Sequence, residues 1–366
     1  MVNTTSQCCR KCRERDRMLS WLPASFIPMK DRKCHLFFLL FAAGCFVATE
    51  TNAQWITPGA KPDAVVAADG SGTHKTIQQA VDAAPAKGGS RFFIQVRPGS
   101  YREKLVIKKN KGPITLFGED TKSTILTYDD FASKRDEHGE EIGSMNSYTA
   151  QIEADGFAAE NITFANPHWP RSVFGHQAIA LSLVADRTNL RKCRLIGYQD
   201  TLYVSGGRQY FEECYIEGIG DYIFGDAIAF FERCELHCTE KCMFITAAST
   251  PPEQPIGFVF SNCRITAATL EKGVIYLGRT WGPYASVTFL NTEMPEAIVP
   301  GGWDNWFSAE NEKTARFAEY RSKGPGAAVK QRVGWSRQLT DEEAAAFTKE
   351  KVLALKPSGG LETAAP

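Results

Sequence analysis

The sequence predicts a parallel β-helix, a solenoid in which each coil of the chain adds one short strand to each of several parallel sheets. A six-residue pattern carries this prediction: an apolar residue, two residues, a fixed position, one further residue, and then Ile, Leu or Met. The pattern occurs six times, each copy ends in a short alternating strand, and Gly, Asn, Asp and Pro punctuate the stretches between copies. Irregular spacing at constant phase is typical of stacked coils whose insertions form loops.

The six copies differ in spacing but share one fixed position. They are "FAAENI" (157–162), "LRKCRL" (190–195), "FEECYI" (211–216), "FERCEL" (231–236), "FSNCRI" (260–265) and "FLNTEM" (289–294). The fixed positions are Glu160, Cys193, Cys214, Cys234, Cys263 and Thr292, at spacings of 33, 21, 20, 29 and 29 residues. The four cysteines should therefore form a ladder of small buried side chains inside the solenoid.

Two other architectures fit this pattern less well. An alternating α/β fold is excluded because no helical pattern of 10–15 residues separates the strands. A β-sandwich remains an alternative, but the Asn-Gly turns that join the strands of tight hairpins are missing from the sequence.

A short helix is predicted on each side of the repeats. The segment 73–84 has apolar residues at helical spacing, and Thr76 and Gln79 form a possible capping box at its start. The segment 339–355 begins with the same arrangement at Thr340 and Glu343. A solenoid has open ends, so these helices should cover an end or pack along the side.

The N-terminal 53 residues do not belong with the repeats. The apolar run "HLFFLLFAAGCFVA" (35–48) is short for a membrane span, follows the basic "MKDRK" (29–33) and precedes the small-residue site "TNA" (51–53). We therefore expect residues 1–53 to be an N-terminal extension and signal peptide, and residues 54–366 to form the β-helix domain. Met29 is an alternative initiating methionine.

The predicted signal peptide implies a secreted protein, either extracellular or periplasmic. The segment "AAGC" (42–45) also resembles a weak bacterial lipobox, in which case Cys45 would carry a lipid and the protein would be an outer-membrane lipoprotein. The formal net charge is zero, so the sequence predicts no nucleic-acid partner.

Two similar segments, "GYQDTLYV" (197–204) and "GDYIFGDA" (220–227), place Asp200 and Asp221 seven residues after Cys193 and Cys214. The two acids should therefore lie at the same phase of consecutive coils, about 4.8 Å apart. Two carboxylates that close cannot both ionise easily, so one pKa should rise. A protonated acid beside a carboxylate suits acid/base and nucleophilic chemistry, although Asp is also common in turns.

Five separated motifs resemble those of the pectin methylesterase (pectinesterase) family: "GSYREK" (99–104), "GHQAIAL" (175–181), the two aspartate segments, and "YLGRTWGPYA" (276–285). That family is a right-handed parallel β-helix of carbohydrate esterases that hydrolyse the methyl ester of polygalacturonate to carboxylate and methanol. The resemblance covers roughly Val65 to Leu355. The inhibitory pro-region of plant forms is missing, which favours a bacterial single-domain form, and we expect a monomer that acts on pectin.

The resemblance implies roles for five residues. Asp221 would be the nucleophile and Asp200 the acid/base. Gln177 and Gln199 would donate amide hydrogen bonds to the developing oxyanion. Arg279 would pair with the nucleophile and lower the pKa of Asp221 while that of Asp200 stays high.

The resemblance also implies substrate contacts. Trp281 would pack against a sugar ring, and Thr149 lines up with a substrate-contacting threonine of the family. Tyr222 stands where the family usually has Phe, so its hydroxyl would alter the sugar subsite. Gln177 and Arg279 would touch the substrate as well.

No metal or cofactor is predicted. Cys234, His237, Cys238 and Cys242 superficially offer four ligands, but Cys234 and His237 should face different directions, and no second Cys pair completes a zinc spacing. A disulfide between Cys238 and Cys242 remains an open possibility in an exported protein.

Two other functions remain as alternatives. The same site could hydrolyse a different ester or a thioester, or the solenoid could bind polysaccharide without catalysis. A Ser-His-Asp esterase is disfavoured because no G-x-S-x-G occurs in the chain. A calcium-dependent lyase would need acidic ligands and a basic residue that the sequence does not group together.

Overall fold

The computed structural model describes residues 55, 59–169, 176–240, 242–269 and 271–358. These residues form a right-handed parallel β-helix, as predicted. The predictions of a signal peptide over residues 1–53, a start at Met29 and lipidation at Cys45 concern positions that lie outside the described residues. In the part of the chain that the structure describes, no helix has the length and apolar character needed to cross a bilayer.

Three parallel sheets make up the walls of the solenoid, and every strand pairs with the equivalent strand of the next coil. The first sheet contains, in stacking order, Ala64–Val66, Phe92–Val96, Ile114–Gly118, Ala158–Glu160, Thr188–Arg191, Arg208–Glu212, Ile228–Glu232, Phe258–Ser261, Ser286–Leu290, Arg316–Tyr320 and Arg337–Gln338. The second contains Leu105–Ile107, Ala150–Ile152, Leu181–Leu183, Leu202–Val204, Ile223–Gly225, Phe244–Ala248, Tyr276–Thr280 and Trp303–Asp304. The third contains Gly99–Arg102, Thr124–Thr127, Thr163–Ala165, Arg194–Ile196, Tyr215–Gly218, Glu235–Cys238 and Arg264–Ala267.

The apolar residue that opens the repeated pattern forms a continuous stack in the first sheet. Leu190 pairs with Phe211, and the stack continues through Phe231, Phe260 and Phe289. The four phenylalanine rings lie face to face, with neighbouring centroids 4.4, 4.5 and 4.6 Å apart. The predicted phase is therefore confirmed for five of the six copies, and the core lies inside the coils.

The predicted alignment of the first copy of the pattern is wrong by two residues. Leu190 pairs with Ala159 rather than Phe157, and Arg191 pairs with Glu160. Glu160 is therefore outside the cysteine ladder and forms an ion pair with Arg191 instead. A slip of two residues keeps the same side chains facing inward, so alternation of polarity alone could not exclude it.

The predicted cysteine ladder is confirmed. Cys193, Cys214, Cys234 and Cys263 are all buried. Each thiol donates to a backbone carbonyl, and the Cys214 Sγ also lies 3.6 Å from the carbonyl oxygen of Leu190 on the preceding coil. The residue before each of these cysteines has a left-handed backbone, with φ between 51° and 54°, which turns the chain from the first sheet to the third.

Within the described residues, three short α-helices flank the coils. The first, α1 (Ile77–Ala83), begins with the predicted capping box of Thr76 and Gln79, and it buries Ile77, Ala80 and Val81 in the core of the first coil. The single helix predicted over 339–355 is instead two, α2 (Asp341–Ala344) and α3 (Lys349–Leu353). The Thr348 side chain caps α3 by accepting a hydrogen bond from the Lys351 N–H, so a new helix begins there.

Helix α3 packs along the side of the solenoid rather than over an end. Its Val352 is fully buried against Ile228, Phe230 and Val259, which point outward from the first sheet. The part of the chain that the structure describes also contains three 3₁₀ turns: Ser144–Asn146, Asn311–Lys313 and Val329–Gln331.

The remaining cysteines near the third sheet are free thiols in this structure. Cys238 and Cys242 are both buried, and no disulfide joins them. Cys234 belongs to the ladder, and the His237 imidazole hydrogen-bonds to the Thr266 hydroxyl at 2.8 Å. Among the described residues, no group of three or more His, Cys, Asp or Glu side chains is arranged to hold a metal ion.

Candidate active site

Asp200 and Asp221 lie on adjacent coils at the same phase, as their spacing predicted. The strands that follow them pair Leu202 with Ile223, an offset equal to the 21 residues between the acids. Gln199 forms a parallel bridge with Gly220, and the Asp200 N–H donates to the Gly220 carbonyl at 3.2 Å. Both acids sit in left-handed turns, with φ of 66° and 50°, immediately before strands of the second sheet.

The two acids open into one cavity of about 520 Å³ on the outer side of the second sheet. Four of the other predicted site residues line the same cavity: Gln177, Gln199, Arg279 and Trp281. Parallel stacking of the second sheet therefore gathers onto one surface six residues that span more than a hundred positions of the chain.

Asp221 is held by a two-point ion pair. The Arg279 Nε and Nη2 each donate to one Asp221 oxygen at 2.8 Å. Both side chains are largely buried, with side-chain exposures of 9% for Arg279 and 14% for Asp221. A two-point pair fixes the plane of the carboxylate as well as its position.

The Arg279 guanidinium is itself covered by an aromatic ring. Its Cζ lies 4.0 Å from the centroid of the Trp306 indole, within the range of a cation–π contact. The backbone of Arg279 pairs in register with Asp304, two residues before that tryptophan. The coil after the strand that carries Arg279 therefore supports the side of the cavity that holds Asp221.

The two acids differ in proton affinity. Burial raises the pKa of Asp200 well above its ordinary value, the charge of Asp221 adds to this rise, and the charge of Arg279 opposes it. Burial also raises the pKa of Asp221, against the hydrogen bonds and charge of Arg279. We expected Arg279 to bring the pKa of Asp221 down, but burial outweighs that influence. The predicted order, with Asp200 the weaker acid, holds.

The two glutamines come from neighbouring coils. The Ala178 N–H donates to the Gln199 carbonyl at 3.1 Å, which stacks Gln177 next to Gln199. Within the described part of the chain, neither side-chain amide is engaged by a protein hydrogen bond. Their N–H groups are therefore available to a ligand in the cavity rather than spent on buried backbone groups.

Comparison with known proteins identifies the family to which this site belongs. The family model described as Pectinesterase matches residues 63–356, nearly all of the described residues. The chain belongs to the pectinesterase family. These proteins are carboxylic ester hydrolases, in agreement with the predicted class of enzyme.

Curated relatives of this pectinesterase from Arabidopsis thaliana show how similar the chain is to the family. Pectinesterase 31 is 42% identical over 287 residues, covering 77% of this chain and 89% of the relative. Pectinesterase QRT1 is 35% identical over 307 residues, covering 82% of this chain and 80% of the relative.

Solved structures agree with the fold. The pectin methylesterase from carrot is 34% identical with a TM-score of 0.74, covering 82% of this chain and 95% of that one. Pectin methylesterase PemA from Erwinia chrysanthemi is 33% identical with a TM-score of 0.73, covering 82% and 99%. The prediction of a bacterial form is not supported, because the curated relatives are plant proteins and the similar structures come from plant and bacterium alike.

Two predicted substrate contacts of this pectinesterase are wrong. Thr149 is fully buried, and its hydroxyl donates to the Ala165 carbonyl at 2.9 Å inside the solenoid. Tyr222 is also fully buried, and its hydroxyl contacts the Cys238 Sγ at 3.6 Å. Side chains alternate across a strand, so the residue after an outward-facing Asp221 points inward. An inward direction is incompatible with a substrate contact by the Tyr222 side chain, and the resemblance to the family did not reveal this direction.

Several cavity residues were missed from the sequence. They share an apolar character and line the walls around the two acids: Met145, Ile219, Phe224, Met243, Phe244, Ala247 and Trp306. Phe224 lies on the strand after Asp221 and meets Trp281 edge to face, with ring centroids 5.7 Å apart. Counting from Asp221 by simple alternation would have turned Phe224 inward, because the strand begins only at Ile223, and most of the others come from connecting segments.

The buried Asp200 carboxyl makes a testable contribution to stability. Because its pKa is higher in the folded state than the ordinary value near 3.8, the free energy of unfolding falls as pH rises from that value toward the raised pKa. Asp200→Asn removes this penalty. The variant should therefore gain stability relative to wild type between about pH 4 and about pH 7.

Urea denaturation at the two pH values measures this difference. Val329→Ala, at an exposed residue without a titratable group, is the control and should differ from wild type by the same amount at both pH values. An Asp200→Asn effect of equal size at both pH values would contradict the raised pKa.

Proposed function

We propose that this pectinesterase hydrolyses the methyl ester of polygalacturonate through a covalent intermediate on Asp221. The observation that carries the proposal is the unequal pair of acids: Asp221 is locked by Arg279 at two points, while the more weakly acidic Asp200 shares its cavity. A carboxylate held by a cation and a neighbouring carboxylic acid are the two groups that such a reaction needs.

In the first half-reaction, an Asp221 oxygen attacks the ester carbonyl carbon and a new C–O bond forms. Negative charge develops on the carbonyl oxygen, where the free amides of Gln177 and Gln199 can donate hydrogen bonds. Collapse of this intermediate breaks the bond to the methoxy oxygen, which takes the proton from Asp200 and leaves as methanol. The sugar carboxyl is then joined to Asp221 as an anhydride.

In the second half-reaction, a water molecule attacks the anhydride. Asp200, now ionised, accepts a proton from this water, and the bond to Asp221 breaks. The products are the free galacturonic acid and the original pair, with Asp221 ionised and Asp200 protonated. The galacturonic acid then loses its own proton to solvent and becomes the carboxylate. The raised pKa of Asp200 favours its role as proton donor in the first step and as acceptor in the second.

The walls of the cavity support a sugar substrate. Trp281 is 44% exposed, so its indole face is open to a ring that enters the cavity. One of the similar solved structures is a pectin methylesterase in complex with a hexasaccharide. Pectin is therefore the substrate we assign to this chain, in preference to a different ester or thioester or to binding without catalysis.

We also propose that the chain acts outside the cell, as the apolar run at 35–48 predicts. The intact mass of the exported protein tests this. A mass that begins at Gln54 supports signal-peptide cleavage, a diacylglycerol mass on Cys45 supports the anchored form, and a mass that retains residues 1–53 would contradict both. A monomeric state stays a prediction.

Methanol release from highly methylated pectin tests the mechanism. Asp221→Ala should lose at least about a thousandfold of the rate, because removal of a nucleophile removes the covalent route. Tyr222→Phe is a matched control at the adjacent position, and its rate should stay within about twofold of wild type, since it deletes only a buried hydroxyl.

Equal methanol release by wild type and Asp221→Ala would contradict the assignment of the nucleophile. Wild type that releases no methanol from pectin, but hydrolyses another ester, would overturn the substrate.

A further inference from the structure

The exposed apolar side chains of this protein concentrate around the mouth of the cavity. In the described part of the chain, the large hydrophobic residues that are exposed number eight: Met145, Trp169, Met243, Trp281, Tyr284, Trp306, Phe307 and Val329. Four of them line the cavity itself. Phe307 is not among the lining residues, yet it is 95% exposed, far more than any other in this set.

Phe307 is continuous with the catalytic groups. Its ring packs against the Trp306 indole, with centroids 5.4 Å apart. Trp306 in turn covers the Arg279 guanidinium at 4.0 Å. An unbroken series of contacts therefore runs from the nucleophile's partner to a phenyl ring that projects into solvent at the rim.

The backbone that presents this ring is strained. Trp306 and Phe307 both have left-handed conformations, with φ of 53° and 62°, which bulky residues rarely adopt. Such strain persists only where the surroundings enforce it, and it is concentrated at functional sites.

Several hydrogen bonds hold the strained segment in place. The backbone N–H of Trp306 donates to the Asp304 carboxylate at 2.7 Å. The Asn305 carbonyl accepts from the Thr280 hydroxyl at 2.9 Å, and the Asn305 amide donates to Glu312 at 2.6 Å. The segment is thereby tied to the strand that carries Arg279, so the exposed ring has a defined place relative to the reaction site.

We propose that Phe307 is an outer contact for the polymer, against which a sugar ring beyond the one being hydrolysed packs its apolar face. This inference rests on the proposed function. A cavity of about 520 Å³ encloses only a short part of a polysaccharide, so neighbouring sugars must lie outside it, along the rim. Aromatic rings offer large, rigid apolar faces at low entropic cost, which suits them to such contacts.

Binding to the polymer tests the proposal without depending on turnover. All variants are made in an Asp221→Asn parent protein, so that the methyl esters of the pectin are not hydrolysed during the measurement. The mobility of each protein is then measured in native gels that contain highly methylated pectin. Phe307→Ala removes the ring, and Phe307→Asn removes it while keeping a residue that tolerates the left-handed backbone. Both should weaken the affinity about three- to tenfold, the scale expected for losing one partly buried apolar face.

Val329→Ala, an exposed apolar residue that does not line the cavity, is the control and should leave the affinity unchanged. Affinity equal to the parent in both Phe307 variants would overturn the proposal. Weaker binding by Phe307→Ala but not by Phe307→Asn would also overturn it, because the loop rather than the ring would then be responsible.

Kinetics of the otherwise wild-type enzyme separate this proposal from the proposed function. Phe307→Ala should raise KM for polymeric pectin with kcat unchanged, and should leave hydrolysis of the methyl ester of a single galacturonate unaffected. A change of equal size on both substrates would overturn the outer contact while leaving the esterase assignment intact. Absence of methanol from wild type would instead count against the esterase assignment, and the gel measurement would still decide the role of Phe307.

Discussion

The parallel register between coils is the constraint on which the site depends. Each coil repeats the same path, so residues at equal phase on consecutive coils are brought about 4.8 Å apart in the direction of stacking. Leu202 opposite Ile223 fixes this register next to the two acids. A slip of one residue would turn one acid into the core. The stacked phenylalanines and cysteines disfavour such a slip, because it would also move their buried side chains to the outer face. The same packing that stabilises the solenoid therefore positions the chemistry.

Burial sets the proton affinities, and Arg279 makes them unequal. Both acids are withdrawn from water, which raises the pKa of each. Only Asp221 receives both arms of a guanidinium, so the penalty for its charge is partly offset. Among the described residues, Asp200 has no such partner, and the charge of Asp221 raises its pKa further. One fold and one cation thus give two identical side chains unequal proton affinities, on which the roles we propose for them depend.

The features that could be predicted from the sequence are those that repeat. Strand phase, the cysteine ladder and the alignment of Asp200 with Asp221 all follow from spacing, and the register confirms them. Prediction failed where two arrangements satisfy the same pattern. The two-residue slip at Glu160 preserves the buried face, and the C-terminal segment has enough capping residues to make two helices instead of one.

The remainder of the site could not be predicted because it depends on how connecting segments fold back. Trp306 reaches Arg279 only through a strained turn, and Met145 and Met243 come from segments that carry no repeat. The prediction for Tyr222 failed for a different reason, since a resemblance in sequence gives the position of a residue in the chain but not the direction of its side chain.

Titration of the two carboxyl groups by carbon NMR, with Asp200→Asn and Asp221→Asn to assign the signals, tests most directly whether these acids are unequal. We expect the Asp200 signal to titrate well above an ordinary aspartate and above Asp221. An Asp200 signal that titrates in the ordinary range, or below that of Asp221, would contradict the division of roles between the two acids.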